Sequence, residues 1–455
     1  MPPYRIAIIG AGPAGFYAAG SLLGRDDIDV RVDLYDRLPT PHGLVRAGVA
    51  PDHQKIKNVT RVFDKTAADD HFRFFGNVEY GRHVDLDDLR RHYHQICFTT
   101  GAQVDRKLGL PGEDLLRSHS ATEFVAWYNG HPDYRDLEFD LTSERVAIIG
   151  VGNVAIDVAR ILCRTVDELA VTDIADYALE ALAESRVREV IVIGRRGPAQ
   201  AAFTNPEIKE MGELEDASAV VLDDEVRLDP LTAADLDENP NRLTSKKLEI
   251  LESFVGGTNP DASRTCFFRF LVSPVELKAA DDGGVGAMRV VFNRLEDTGR
   301  PRLTPKPTDR VEDWDVDMVF RSVGYQGVAL PDIPFNENWG VIHNEKGRIV
   351  AEDGGHMVGC YAAGWIKRGP TGVIGTNKAD AVETADCMVA DLQSGIHFTP
   401  EEGDIERLIR EAQPEFFSYA DWLKLDELEQ ERGKSSGRPR VKFTTRREML
   451  QAIGR

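Results

Sequence analysis

Short unbroken apolar runs recur along the chain. The two clearest are Arg5-Ile6-Ala7-Ile8-Ile9-Gly10 and Arg145-Val146-Ala147-Ile148-Ile149-Gly150, each followed by a second glycine two positions on and then by an apolar pattern of helical period. A run too short for a helix and without polar alternation is the pattern of a strand buried on both faces of a parallel sheet. Further strands are predicted at Val30–Tyr35, 96–100, 189–193, 289–292 and 317–322, and helices over 14–23, 85–94, 154–162, 173–183 and 402–428. Residues 223–264 are acidic, contain Pro and Asn and lack a clear period, so an irregular surface region is expected there. The segment 281–286 (DDGGVG) reads as a turn between strands and 433–440 (GKSSGRPR) as a loop. Strands alternating with helices, begun twice over, predict an α/β fold with two doubly wound, parallel-sheet nucleotide-binding domains.

Size and composition narrow this picture. At 455 residues the chain has room for about three domain-sized units. No apolar run approaches the ~18 residues of a membrane helix. The opening Met1-Pro2-Pro3-Tyr4-Arg5 passes straight into a strand with no room for a signal peptide, so a cytoplasmic location is expected. The net charge of −21 disfavours general nucleic-acid binding, which needs a basic face. The five cysteines, Cys97, Cys163, Cys266, Cys360 and Cys387, are scattered and form no C-x-x-C. That argues against a disulfide framework, a thiol redox pair, a zinc site or an iron–sulfur cluster in this chain, and no metal is expected.

Gly10-Ala11-Gly12-Pro13-Ala14-Gly15 is a G-x-G-x-x-G between a predicted strand and a predicted helix. Gly10 permits the tight turn, Gly12 lets the backbone approach a pyrophosphate, and Gly15 lets helix and strand pack closely, while the helix N-terminus offers N–H donors. The next strand ends at Asp36, a carboxylate able to bond both ribose hydroxyls. Gly150-Val151-Gly152-Asn153-Val154-Ala155 repeats the arrangement with alanine in third place. The later strand leads into Gly194-Arg195-Arg196-Gly197, two guanidiniums where the first site has a carboxylate. Planar guanidiniums suit a 2′-phosphate and a carboxylate repels it, so NADPH is expected over NADH. The interval from Gly150 to Arg195 exceeds the usual ~20 residues, and 163–188 is read as an insertion carrying two helical patterns. The segment 364–377 (GWIKRGPTGVIGTN) has four glycines in fourteen residues, which reads as a close-approach loop.

Together with 38–53 (LPTPHGLVRAGVAPDH), 74–84 (FFGNVEYGRHV), 150–162 and 194–204 (GRRGPAQAAFT), that loop closely resembles the adrenodoxin-reductase type of ferredoxin–NADP reductase, including the actinobacterial NADPH–ferredoxin reductases. The resemblance spans almost the whole chain and is thinnest over 215–265. It implies a glutathione-reductase-like architecture, an FAD-binding domain of 1–105 plus 325–455 with an NADP-binding domain of 106–324 inserted in it. FAD contacts are then expected at Ala14, Asp36, Leu44, Tyr80, Trp365, Gly372, Val373 and Ile374, and NADPH contacts at Arg106, Val151, Gly152, Asn153, Val154, Arg195, Arg196, Glu207 and Gly372. Asp36 stands where a glutamate is usual, Tyr80 where a small aliphatic is, and His42 where an aromatic is.

The reaction this implies is hydride transfer from NADPH to FAD, then single-electron transfer to an iron–sulfur protein, with His53, Glu210 and Asp157 as candidates for positioning the nicotinamide and handling the proton. The acceptor must be another chain, since no cluster ligands are grouped here. Ferredoxins are usually acidic, so docking needs a local basic patch, for which Arg242, Lys246, Lys247, Lys367 and Arg368 are the candidates. Two alternatives stay open at this point: an NADPH-dependent flavin or quinone oxidoreductase with a small-molecule acceptor, and a nucleotide-sensing module whose flavin is structural.

Overall fold

The computed structural model describes residues 3–299 and 302–455. Its internal contacts divide it into two compact units. The first takes the chain up to Val104, the short segment Asn129–Arg135 and Gly324–Arg455; the second takes Asp105–Tyr128 and Asp136–Val323.

The first unit is built on a seven-stranded sheet in the order Asn344–Glu345, Arg348–Val350, His356–Ala362, Gln95–Phe98, Tyr4–Ile9, Val30–Tyr35 and Phe72–Phe75. The last five strands run parallel, and the first two pair antiparallel. Ile6, Ile8, Val32 and Leu34 are completely buried, as their apolar runs require. Helix Pro13–Leu23 lies in one core with helix Thr376–Gln393, joining Ala18, Ala19 and Leu22 to Ala381, Ala385 and Met388. The excursion Asn129–Arg135 is pinned within this unit. Lys442 Nζ donates to the Asn129 carbonyl at 3.1 Å, Arg135 Nε donates to Thr444 Oγ1 at 3.1 Å, and Asp133 pairs with Arg37 and Arg446.

The second unit has a six-stranded parallel sheet in the order Ser118–Ser120, Met318–Arg321, Arg145–Ile149, Glu189–Gly194, Arg264–Phe270 and Ala217–Val221. Beside it stands an antiparallel sheet of Val272–Ala279, Val285–Glu296 and Thr304–Asp315. The turn expected at 281–286 joins two of these strands. The expected insertion carries helices Val166–Ala170 and Asp176–Ala183.

Two expectations are corrected. Residues 223–264 are mainly helical, with Asp223–Val226, Pro230–Glu238 and Arg242–Glu252. The second and third of these begin at side-chain caps, Asp229 and Asn241, but bury so few residues that no apolar period is visible. The helix expected over 402–428 is broken into Glu406–Ala412 and Tyr419–Lys434, with Ser418 and Asp421 forming a capping box at the restart. No helix among the described residues is long and apolar enough to cross a membrane.

Candidate functional site

In the first unit the strand Tyr4–Ile9 ends on Gly10, whose φ is +114°. A Cβ there would lie 2.6 Å from the Thr99 carbonyl oxygen, and one on Gly15 would lie 2.2 Å from the Gly10 carbonyl. Both positions therefore exclude a side chain through packing. Gly12 differs: a Cβ there would meet nothing within 4 Å. It caps helix Pro13–Leu23 without a side-chain partner, proline occupies the first turn, and no acidic residue follows. The helix N-terminus thus faces open space with its dipole uncompensated, the arrangement that accepts a phosphate.

Asp36 accepts the Ala11 amide at 2.8 Å and the Leu38 amide at 2.9 Å. The carboxylate therefore staples the glycine loop to the end of strand Val30–Tyr35, with lone pairs left over for a hydroxyl. Burial pushes its carboxyl up, against the pull of those two amides. Leu44 opens helix Leu44–Ala47, whose cap Gly43 holds φ +49° so close to the loop that a Cβ would lie 3.0 Å from Gly12 Cα. Tyr80 donates to the Pro331 carbonyl at 2.9 Å and meets Phe98 edge-on. His42 is caged by Phe16, Phe63 and Trp422, and burial pushes its imidazole down to about 3, leaving it neutral.

The loop 364–377 comes back to the same place. A Cβ on Gly364 (φ +79°) would sit 2.5 Å from Ala14 Cβ, so the loop lies on the first turn of the glycine-loop helix. Trp365 Nε1 is buried with no hydrogen-bond partner, a donor waiting for an acceptor. Gly372 has φ +78°, Val373 is 57% exposed, and Gly375 caps helix Thr376–Gln393 with open space around it and no acidic residue in the first turn. Ile374 packs against the core. These residues fit a dinucleotide with a planar ring.

Lys367 and Arg368, in contrast, are not surface cations. Lys367 Nζ is buried between Glu383 at 2.6 Å and Asp380 at 3.2 Å. Arg368 is held by the Thr371 carbonyl and by Asn377 Oδ1 at 3.0 Å. A residue count cannot distinguish such internal pairs from a docking patch.

The second unit repeats the first glycine loop closely. Gly150 has φ +136°, and a Cβ there would lie 2.1 Å from the Ser322 carbonyl oxygen; Gly152 again caps a helix, Asn153–Cys163, with nothing within 4 Å. Val151 and Asn153 hold the following segment: the Val151 carbonyl accepts the Ala202 and Phe203 amides, and Asn153 Oδ1 accepts the Thr204 amide at 2.9 Å. Val154 packs on the core. Arg195 and Arg196 follow strand Glu189–Gly194 directly, Arg195 exposed and Arg196 half-buried. Arg106 lies in the opening segment of this unit.

Three predicted carboxylates of this unit converge on a residue that sequence reasoning missed. Arg160 is completely buried; its guanidinium lies 2.8 Å from Asp157, 3.3 Å from Glu207 and 3.7 Å from Glu210. The signal was present as two i,i+3 pairs, Asp157 with Arg160 on one helix and Glu207 with Glu210 on another. His53 belongs to the first unit, half-buried at the cap of helix Gln54–Lys57. All five cysteines are free, and burial pushes Cys97 and Cys360 up to about 12 and Cys266 well above its ordinary value, so these three thiols stay protonated at neutral pH.

Two α/β units, each presenting a bare helix N-terminus behind a glycine loop, define a two-nucleotide oxidoreductase, and residues 4–192 match the family model described as pyridine nucleotide-disulphide oxidoreductase. The chain is 42% identical to the NADPH-ferredoxin reductase FprA of Mycobacterium tuberculosis over 99% of both chains. It is 40% identical to the mitochondrial NADPH:adrenodoxin oxidoreductase of Salvelinus fontinalis, over 98% of this chain and 90% of that one. The solved structure of Mycobacterium tuberculosis FprA in complex with NADPH matches with a TM-score of 0.92 at 41% identity, covering 99% of each chain. The chain belongs to the NADPH–ferredoxin reductase family of adrenodoxin-reductase type.

Proposed function

We propose that the protein is a flavoenzyme that oxidises NADPH and passes electrons one at a time to a ferredoxin-type iron–sulfur protein. The observation that carries this is the duplicated loop: Gly12 and Gly152 each open a helix N-terminus to unfilled space, and an arginine pair follows the second. The first unit holds FAD, its pyrophosphate on the amides after Gly12, its ribose at Asp36 and its ring against Trp365 and 372–374, with Leu44 and Tyr80 lining the site. The second unit holds NADPH through Val151–Val154, Arg106 and Glu207, with Arg195 and Arg196 on the 2′-phosphate. When bound, the nicotinamide supplies a hydride and the flavin accepts two electrons and releases them singly.

The chain's own residues then have defined tasks. His53 carries the proton near the flavin, while Glu210 and Asp157, fixed by Arg160, set the charge of the second site. The acceptor docks on the exposed end of helix Arg242–Glu252. Arg242 and Lys246 are exposed there, although Lys246 pairs with Glu249 at 2.8 Å and Lys247 turns inward to the Ala201 carbonyl. A cytoplasmic location is part of this reading.

Anaerobic titration of the yellow holoprotein tests the reading. NADPH should bleach the flavin bands rapidly and NADH should do so far less well, and cytochrome c reduction should require added ferredoxin. Flavin that NADPH leaves oxidised would defeat the proposal; ferredoxin-independent turnover with quinones would transfer it to the small-molecule class.

A further inference from the structure

The turn carrying Arg195 and Arg196 is tied at both of its carbonyls to the neighbouring antiparallel sheet. Asn293 Nδ2 donates to the Arg195 carbonyl at 3.0 Å and to Ser273 Oγ at 2.8 Å. The Leu271 amide donates to the Arg196 carbonyl at 3.1 Å, and the Leu271 carbonyl accepts the Asn293 amide at 2.6 Å. Leu271 holds φ +57°, a left-handed conformation unfavourable for a branched side chain. Asn293 is 8% exposed and sits where the ladder between Val285–Glu296 and Thr304–Asp315 slips register after Val291. Such bulges re-aim a side chain, here toward the arginine turn. Strain at Leu271 and a buried amide at Asn293 thus converge on two consecutive carbonyls.

Beyond the bulge the hairpin continues to the same turn. Leu295 Cδ1 lies 4.0 Å from where Gly197 would carry a Cβ, and the return strand begins at Thr304, opposite Glu296, two residues after Arg302. Arg196 registers the neighbour: burial first, then the charges of Arg195 and Arg302, hold its guanidinium below the usual arginine value, and among the described residues no carboxylate counters them. Crowded guanidiniums without a counter-charge are arranged for an anion.

We propose that the hairpin of strands Val285–Glu296 and Thr304–Asp315 is part of the 2′-phosphate site, with Arg302 as a third guanidinium on the phosphate and Asn293 as the positioning residue that fixes the Arg195 backbone. The inference rests on the reading of Arg195 and Arg196 as the 2′-phosphate pair. NADPH preference then depends on a sheet that lies outside the doubly wound fold, and Arg302 selects the cofactor as much as the strand end does.

Calorimetric titration of the holoenzyme with adenosine 2′,5′-bisphosphate and with 5′-AMP isolates the 2′-phosphate. Arg302→Ala should weaken the bisphosphate about tenfold, the loss of one charge-assisted bond, and leave 5′-AMP unchanged. Asn293→Ala should lower the ratio of the two affinities in the wild-type background and have no effect on it once Arg195 is already alanine, a coupling that general loosening of the unit does not produce. An unchanged ratio in Arg302→Ala, or equal weakening of both ligands by Asn293→Ala, overturns the proposal. The double variant Arg195→Ala/Arg196→Ala separates the two failures. If it abolishes the ratio while Arg302→Ala keeps it, only the hairpin's role falls; if it too keeps the ratio, the reading of the arginine pair falls with it.

Discussion

Replacing Glu429 by glutamine should unfasten helix Tyr419–Lys434 from the short helix Leu44–Ala47 beside the first glycine loop. Glu429 is completely buried in helix Tyr419–Lys434; it accepts Arg46 Nη1 at 2.8 Å and Nη2 at 2.5 Å, the Phe443 amide at 3.0 Å and Arg440 Nη1 at 3.3 Å. Arg46 in turn sits in the short helix whose cap, Gly43, abuts Gly12. Neutralising one partner of a buried, bidentate pair costs about 3–5 kcal/mol, because the other charge stays behind. For a unit of this size each kcal/mol moves the midpoint by about 2–4 °C, so the Tm of Glu429→Gln should fall by roughly 6–20 °C, with flavin released earlier in the transition. The pH dependence fixes the cause. Burial pushes the Glu429 carboxyl up, but Arg46, Arg440 and the Phe443 amide outweigh it and hold it below the usual glutamate value. A carboxyl lowered on folding contributes fully above its unfolded value of ~4.3 and loses that contribution as the pH falls through the folded value. The gap between wild type and variant, followed by circular dichroism and flavin fluorescence, should be constant from about pH 6 to 8 and should close below about pH 4. Equal midpoints at neutral pH, or a gap that widens on acidification, would refute the reasoning.

The glycine loops separate packing from binding. Gly12→Ala should leave the apoprotein midpoint unchanged while weakening FAD, measured by flavin fluorescence, whereas Gly150→Ala should prevent folding of the second unit; a Gly150→Ala protein with a wild-type melt would contradict the contact with Ser322. Arg195→Ala/Arg196→Ala should weaken NADPH by about tenfold or more per guanidinium and spare NADH, and equal losses in a binding titration would show that the pair does not meet the 2′-phosphate. Ferredoxin-dependent turnover should fall with salt, over a Debye length of about 8 Å at ~0.15 M, while ferricyanide reduction changes little, and Arg242→Glu/Lys246→Glu should raise only the ferredoxin KM. An unaltered KM would move the docking face elsewhere.

The sequence was most legible where burial is complete. Strand Val30–Tyr35 was read with its bounds because every position but Arg31 is buried, and both glycine loops were found because backbone contacts at Gly10 and Gly150 forbid any other residue. Half-exposed helices such as Pro230–Glu238 left no period to read, only a cap at Asp229. Charge was the least legible property. Lys367 and Arg160 look in sequence like any other cation, yet both are buried among carboxylates brought in by other segments, which local spacing reveals only for the i,i+3 partner. Asn293 left no trace at all, since a bulge and a strand partner determine its direction.

The approach of Gly364 to Ala14 also sets an order of events in synthesis. Strand His356–Ala362 and helix Thr376–Gln393 are needed beside segments that were synthesised well before them. The first hundred residues therefore hold an incomplete sheet, its Gln95–Phe98 edge uncovered, while the ribosome makes the whole of the second unit. At about 5–20 residues per second that wait is on the order of tens of seconds. Newly made chains thus pass through a stage with one finished nucleotide-binding unit and one exposed parallel edge, and the flavin loop closes only when strand His356–Ala362 and helix Thr376–Gln393 have been made.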